Sequence, residues 1–596
     1  MSDFTTRPEI RGTFGVVAST HWIASAVGMG ILERGGNAFD AAVATGLALQ
    51  VVEPHLNGPG GDLPVIYRRA DSDETRVICG QGTAPKGATI EKMRELGLRL
   101  MPGSGLLATV VPGAFDGWMK LLEEHGTMSL AEVMEPAIYH AREGHPVLAR
   151  VANTIAGLGE FFSEEWPSSA EVFLPGGDAP EPGALFRNPD LAATYQRIVD
   201  EAEAASGERA GQIAAARSIW SDGFVAEAIC DYLAEAEVDD GTGLRHRGVL
   251  ASDDLSGWRA REEAPLSLDY HGWTVFKTGP WGQGPVLLQA LAILRGIDLA
   301  SMDPCGAEFV HSVIEAMKLA YADREAFYGD PDFADIPMDV LLSEDYAASR
   351  RALITDRASL EQRPGKIPGY EHLAEAAITR AATDFGVDAT RSVEPTMAHL
   401  TERRGDTVHL DVIDRWGNVV SATPSGGWLQ SSPVVPGLGF PLNSRAQMFW
   451  LEQGVPAALR PGARPRTTLT PSIATDGTRW LSFGTPGGDQ QDQWQLIWFL
   501  RFVHHGGNLQ ANMDSPLFHS THFQGSFFPR KAEPGHMLIE PSFAPEVIED
   551  LRGRGHIVEV TEPWAIGRLS AALREPDGIL RAAATPRLMQ AYAVGR

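Results

Sequence analysis

The stretch RRGDTVHLDVIDRWGNVVSATPSGGW, residues 403–428, reads as two short strands joined by a turn. Gly417 in DRWGN is available for positive φ. A loop from Asp414 to Asn418 would pair Ile413 with Val419, Asp411 with Ser421, His409 with Thr423 and Thr407 with Ser425. Side chains alternate along a strand, so Thr407, His409 and Asp411 share one face and Val408, Leu410 and Val412 the other. The apolar row is expected to face a core, and the polar row a surface that accepts hydroxyls. A four-residue loop would break this pairing, because a slip of one residue sends every side chain to the opposite face.

Thr407 is the first strand residue after an Arg-rich, Gly-containing loop. It has two readings. A Thr–Ser pair across two strands is ordinary sheet chemistry. Alternatively, cutting the Asp406–Thr407 bond would give Thr407 a free α-amine beside its hydroxyl, making one residue both nucleophile and general base. The cut can be autocatalytic, with the Thr407 hydroxyl attacking the Asp406 carbonyl and water resolving the ester.

Working outward, the chain has 596 residues, enough for a large core and on length alone for several domains. Its formal charge of -27 argues against nucleic acid or anionic lipid as a partner. It leaves room for a small anionic substrate in a pocket where one Arg dominates. Cys79, Cys230 and Cys305 form no C-x-x-C pair, which fits a reducing compartment without a disulfide framework or zinc cluster. The N-terminus MSDFTTRPEIRG lacks an apolar h-region, and no apolar run is long enough to span a bilayer. The expectation is a cytoplasmic protein.

Before the hairpin, Ile23, Val27 and Ile31 recur at helical spacing, and Gly35-Gly36 supplies a stop. Asn37 or Asp40 then starts an Ala-rich helix that should be buried. NGPGGDLPVIYRR reads as a tight turn and a strand, residues 110–245 as mostly helical, and HGWTVFKTGPWGQGPVLLQALAILRG as strand, glycine loop, helix. Residues 350–394 read as a polar, flexible connector. After Thr407 short β runs dominate, with IVEVTE and LRAAAT expected as a closing strand pair. Helices flanking stacked sheets suggest a layered α/β or α+β body.

NGPGGD and GPWGQG fit neither a dinucleotide fingerprint nor a P-loop and read as tight turns near a pocket. The histidines of VHHGGN and FHSTHF lack H-E-x-x-H spacing and cysteine partners, so no metal is expected. No G-x-S-x-G elbow occurs, which lowers the case for an α/β-hydrolase.

Five motifs in order resemble the gamma-glutamyltranspeptidase family of N-terminal-nucleophile hydrolases: ERGGNAFDAAVATGLALQVVEPHLNGPGGD, EAMKLAYADREAFYGDPDF, DTVHLDVIDRWGNVVSATPS, RPRTTLTPSI and FGTPGGD. The resemblance implies an α+β fold, a four-layer αββα sandwich. It implies cleavage into a large segment, residues 1–406, and a small one, residues 407–596, that stay associated as one globular unit. Thr407 falls at the nucleophile, Ser425 at a second hydroxyl that orients it, and Gly487 and Gly488 at the oxyanion position. Backbone donors of that kind contribute about 2.7–4 kcal/mol each. Thr467 and Thr468 fall where hydroxyls line the substrate pocket. No cofactor is required; the partners are a small-molecule amide and water or an amine acceptor.

The departures concern the acyl donor. Gln81 stands where the family has an Arg for the α-carboxylate, Met448 where it has an acidic partner for the α-ammonium, and Gly427 where it has a pocket Asn. Arg445 is a new cation able to bind a carboxylate in bidentate fashion. The expectation is therefore a donor with a carboxylate but no required α-ammonium. Candidate substrates are γ-glutamyl amides such as glutathione, or simpler acid amides as in the glutaryl (cephalosporin) acylases and oxamate amidohydrolases. The rival from another class is an uncleaved, non-catalytic binding homologue.

Overall fold

Strand Leu410–Asp414 pairs with Val419–Ala422 in the expected register, Asp411 opposite Ser421 and Ile413 opposite Val419. The computed structural model describes residues 4–386 and 407–596. Gly417 does adopt positive φ, +95°, but the turn is tied together by Asp414. Its Oδ1 accepts the N–H groups of Trp416, Gly417 and Asn418 at 3.0, 2.9 and 3.0 Å. Its Oδ2 accepts from the Ala38 N–H at 2.9 Å, joining the turn to the start of a helix.

The hairpin lies inside a seven-stranded antiparallel sheet. The order is Tyr592–Gly595, Gly15–Ser19, Leu410–Asp414, Val419–Ala422, Leu63–Arg68, Thr75–Gly80, Arg261–Glu263. A strand from before residue 387, Gly15–Ser19, lies between two from after residue 406, and Leu63–Arg68 pairs with Val419–Ala422, so both segments share one hydrogen-bonded ladder. A second antiparallel sheet runs Ile10–Gly12, Leu580–Ala584, Ser570–Arg574, Trp480–Gly484, Ser472–Thr475, Trp273–Lys277, Leu266–Tyr270.

The two sheets stack. Between them Val16, Ile66, Val77, Ile413, Val419, Ile473 and Ala582 form an apolar layer. On the outer face of the first sheet, Val408, Leu410 and Val412 join a core with helices Trp22–Glu33 and Ala38–Val52. The Ala-rich second helix is buried along its whole length, and its N-terminus carries a capping box of Asn37 and Asp40. Helices Pro285–Leu294, Ala307–Phe327 and Gln491–His505 cover the second sheet. The result is the four-layer αββα sandwich.

Two sequence readings are corrected. Residues 350–386 are a packed segment: helix Glu371–Ala381 sets Leu373, Ala374 and Ala377 into the second helical core, together with Ile367. Their polarity reflects one exposed helix face; residues 387–394 lie outside the described residues. IVEVTE and LRAAAT do not pair. Ile557–Val560 runs parallel to His536–Ile539 in a small separate sheet, whereas Leu580–Ala584 pairs with Ser570–Arg574 and Ile10–Gly12. Strand alternation shows which face is buried but not which strand lies alongside.

Burial holds several histidines neutral: His21 and His522 titrate near about 3, His145 and His504 near about 4, His556 near about 2. The unfolded chain protonates them at about 6.5, so it binds more protons and stability falls as pH drops through that value. Glu53, raised to about 7 by burial, and Asp62 and Asp492, raised to about 6, act in the opposite sense but are fewer. Thermal denaturation should show a lower Tm at about pH 5 than at about pH 7.5. A Tm that rises on acidification would mean the carboxylates dominate.

Candidate active site

The polar row of the hairpin does not face solvent. Thr407, His409 and Asp411 are buried between the two sheets, beside the apolar layer that begins at Ile413. Asp411 is held across the gap: Ser570 Oγ donates to its Oδ2 at 2.7 Å, and Ser482 Oγ donates to its Oδ1. His409 contacts Thr423 Oγ1 through Nδ1 at 2.9 Å and Asp411 Oδ1 through Nε2 at 3.0 Å. Gly484, on the facing strand, is next to the His409 ring, where a side chain would collide. This layer forms a rigid floor beneath the next pair along: Thr407 Oγ1 and Ser425 Oγ are 3.1 Å apart, both side chains buried. The hairpin register places them together as expected. Asp406 lies outside the described residues, so only the Thr407 side of the expected cleavage junction is seen.

Beyond Ser425 the chain passes through Gly426 and Gly427, with φ of +71° and +62°. A Cβ on Gly427 would lie 2.8 Å from Gly61 N, and one on Gly426 2.8 Å from Asp62 Oδ1. The Gly pair at 426–427 therefore docks backbone to backbone against the glycines of NGPGGD. Asp62 N–H donates to Ser425 O at 2.8 Å and Ser425 N–H to Asp62 O at 3.0 Å. Thus Asp62, passed over in the sequence as part of a tight turn, sits directly beside the hydroxyl pair.

Asp62 receives Arg445. Arg445 Nε donates to Asp62 Oδ1 at 3.0 Å, and both side chains are 0% exposed. The guanidinium carbon stands 5.0 Å from the Trp428 ring centre, and Trp428 is fixed by donating to Leu56 O at 2.8 Å. Among the described residues neither Arg445 Nη1 nor Nη2 has a hydrogen-bond partner, nor does Asp62 Oδ2. Burying four N–H donors unpaired is costly, so the fork marks a place for an acceptor. Met448 is packed with Trp428 and Phe527 in a small apolar cluster, so no acidic group stands there. Gln81 follows strand Thr75–Gly80, one step past the Leu63–Gly80 pair and so on the Asp62 side of the sheet. It is buried, with Nε2 on Gly82 O at 3.3 Å and Oε1 unpartnered among the described residues.

The glycine loop at 487–488 is braced from below. Gly487 has φ +115°, and a Cβ there would press on Trp494. Gln283, from GPWGQG, donates through Nε2 to Gly488 O at 3.1 Å and accepts from Arg324 Nη1 at 2.8 Å. Arg324 also pairs with Asp489, whose Oδ2 accepts the Ser526 N–H at 2.8 Å. With the Gly488 carbonyl turned toward Gln283, both glycines are buried, and their N–H groups donate to none of the described residues. Buried, unpaired N–H groups are rare unless a ligand supplies the acceptor. Thr467 N–H donates to Trp281 O at 2.9 Å, so the same GPWGQG loop holds the TTLTPS segment. Thr467 Oγ1 accepts from Leu469 N–H at 3.4 Å, while Thr468 Oγ1 is buried without a partner among the described residues.

Fold and site together define an N-terminal-nucleophile hydrolase: stacked antiparallel sheets between helices, with a hydroxyl pair beyond the ends of two central strands. The sequence profile of the gamma-glutamyltranspeptidase family matches residues 24–595. The chain belongs to that family of hydrolases and transferases. A solved structure of LmbA2991 is 52% identical with a TM-score of 0.91, covering 100% of both chains. The cephalosporin acylase from Bacillus halodurans is 27% identical with a TM-score of 0.82, covering 100% of this chain and 98% of that one. The glutathione hydrolase-like YwrD proenzyme of Bacillus subtilis (strain 168) is 30% identical over 97% of each chain. Among the described residues no helix is long and apolar enough to cross a membrane.

Replacing Ser425 by Ala removes one hydroxyl of the pair and leaves the backbone bridge to Asp62. The expected outcome is a fall in kcat of roughly tenfold or more, about 1–2 kcal/mol, with KM little changed. Steady-state kinetics on the purified variant checks it.

Proposed function

We propose that the protein is a self-processing amidohydrolase that acts through an acyl-Thr407 intermediate on amides of small acids bearing a carboxylate. The observation that carries this reading is the buried Thr407–Ser425 hydroxyl pair, 3.1 Å apart, on the lead-in to strand Leu410–Asp414, directly after the expected cut. Thr407 Oγ adds to the Asp406 carbonyl, the Asp406–Thr407 amide becomes an ester, and water hydrolyses it. Residues 1–406 and 407–596 then stay together because their strands are interleaved in one sheet.

In turnover the freed α-amine of Thr407 takes the hydroxyl proton as Oγ attacks the substrate amide. Ser425 orients that hydroxyl, and the N–H groups of Gly487 and Gly488 receive the developing oxyanion. The proton passes to the leaving amine, and water, or an amine acceptor, resolves the ester. The Arg445 fork reads a carboxylate on the acyl side, with Gln81, Thr467 and Thr468 as polar lining. Retention of Thr407 and of the Gly pair argues against a purely binding homologue.

A denaturing gel with intact-mass measurement tests the proposal. Wild-type protein should run as two pieces, residues 1–406 and 407–596, and Thr407→Ala as one inactive chain. With an anilide donor, the acyl mass should appear on the smaller piece. A Thr407→Ala protein that still cleaves, or a small piece that begins elsewhere, would falsify the reading.

A further inference from the structure

We propose that Asp62 is a specificity-determining residue that takes up a proton when a donor carboxylate docks on the Arg445 guanidinium. The inference rests on the amidohydrolase reading above and goes beyond it, because it specifies which charge forms of a donor the site accepts and at what pH.

The geometry is that of a half-completed ion cluster. Among the described residues Arg445 spends only Nε on Asp62, at 3.0 Å, and turns four unpartnered N–H bonds elsewhere, while Asp62 spends only Oδ1 and leaves Oδ2 unpartnered. Both groups are 0% exposed.

Among the described residues no second side-chain cation faces the pair, and the Thr407 α-amine freed by processing is neutral in the form that attacks. The 425–428 segment presents Ser425, Gly426 and the Trp428 ring, and the 443–448 segment presents Asn443, Arg445 and Met448. The neighbouring strand end presents Gln81, which is uncharged. Arg530 contacts the Met448 carbonyl at 3.4 Å, but its charge is engaged with Glu325. Burial raises the Asp62 carboxyl, and Arg445 pulls it down.

Charge counting then decides. Empty, the pair is neutral. A monoanionic donor on the Arg445 fork would leave two carboxylates around one guanidinium in a buried site, and an uncompensated buried charge is strongly unfavourable. Protonating Asp62 restores neutrality and turns Oδ2 into an O–H donor for the incoming carboxylate. The proton comes from solvent, one per anion bound. Burial already raises the Asp62 carboxyl to about 6 against the pull of Arg445, so the step lies within reach near neutral pH. The alternative way to neutrality is a donor that carries its own ammonium and sets it on Oδ2; such a zwitterion would need no proton.

Paired donors separate the two. The processed enzyme is assayed with the p-nitroanilides of succinic and glutaric acids, with their neutral methyl esters, and with the γ-glutamyl p-nitroanilide, from about pH 6 to about pH 8.5. Titration of the Thr407 amine affects all donors alike and cancels in the ratio of acid to ester. That ratio of kcat/KM should fall about tenfold per pH unit above the Asp62 titration. Asp62→Asn, which keeps the acceptor for Arg445 Nε but cannot titrate, should flatten the ratio.

A wild-type ratio that does not change with pH overturns the proposal, whether or not the variant folds. So does an unchanged slope in Asp62→Asn. A γ-glutamyl donor favoured more than tenfold at every pH, with a flat profile, would make Asp62 an ammonium acceptor instead. Absence of any acyl-Thr407 adduct with all five probes would overturn the amidohydrolase reading itself, and this inference with it.

Discussion

One carboxylate sets the frame for everything else. Asp414 gathers three successive turn N–H groups and the first N–H of the buried helix Ala38–Val52. That fixes where the hairpin turns, hence its register, and therefore which side chains lie between the sheets. With the turn one residue away, Val408, Leu410 and Val412 would face the second sheet, and Thr407, His409 and Asp411 would be driven into the helix core. The nucleophile candidate is thus positioned by a residue at the far end of its own strand.

The interior between the sheets is graded along the strands. At the turn end it is apolar, with Ile413, Val419 and Ile473. Toward Thr407 it becomes a ladder of cross-strand polar pairs, each satisfied: Asp411 by Ser482 and Ser570, His409 by Thr423 and Asp411. Satisfied polar networks are rigid because an open partner would be expensive. Past the Thr407 end of the ladder lie groups left open among the described residues: Asp62 Oδ2, the Arg445 fork and the Gly487–Gly488 amides. The same contrast holds elsewhere in the core. Lys277 is as buried as Arg445, but it is surrounded by Thr470 O, Ser472 Oγ, Gln495 Oε1 and Asp492, and so braces helix Gln491–His505 rather than awaiting a ligand. Burial alone does not mark a site, and neither does a single open donor, since Trp118 Nε1 and Trp498 Nε1 are buried and unpartnered among the described residues of the helical cores; several open groups gathered beside one hydroxyl pair do.

Glycine has a specific part in this. Gly426 and Gly427 adopt left-handed conformations and lie against Gly60, Gly61 and Asp62, so two glycine motifs far apart in the chain are halves of one backbone contact. Gln283, in a third glycine-rich stretch, sets the carbonyl of Gly488. Each of these stretches reads locally as a turn, and each is one. Their shared purpose becomes visible only when they are seen docked.

The sequence alone determined the hairpin, its register and the juxtaposition of Thr407 with Ser425, because strand alternation and turn chemistry are local and periodic; the four-layer sandwich followed from the resemblance of its motifs to a known family. It also determined that Gln81 and Met448 bring no charge to the donor pocket, since residue identity suffices for that. Only the tertiary structure decided that Asp62 is the partner of Arg445. The two are far apart in the chain, and a carboxylate after two glycines has no local mark that distinguishes a turn residue from a buried counter-ion. Long-range pairing likewise separated Ile557–Val560 from Leu580–Ala584 and packed residues 350–386 against the second helical core. A strand's pattern reports which face is buried, whereas its neighbour, and the partner of a buried charge, are fixed by how the whole chain closes.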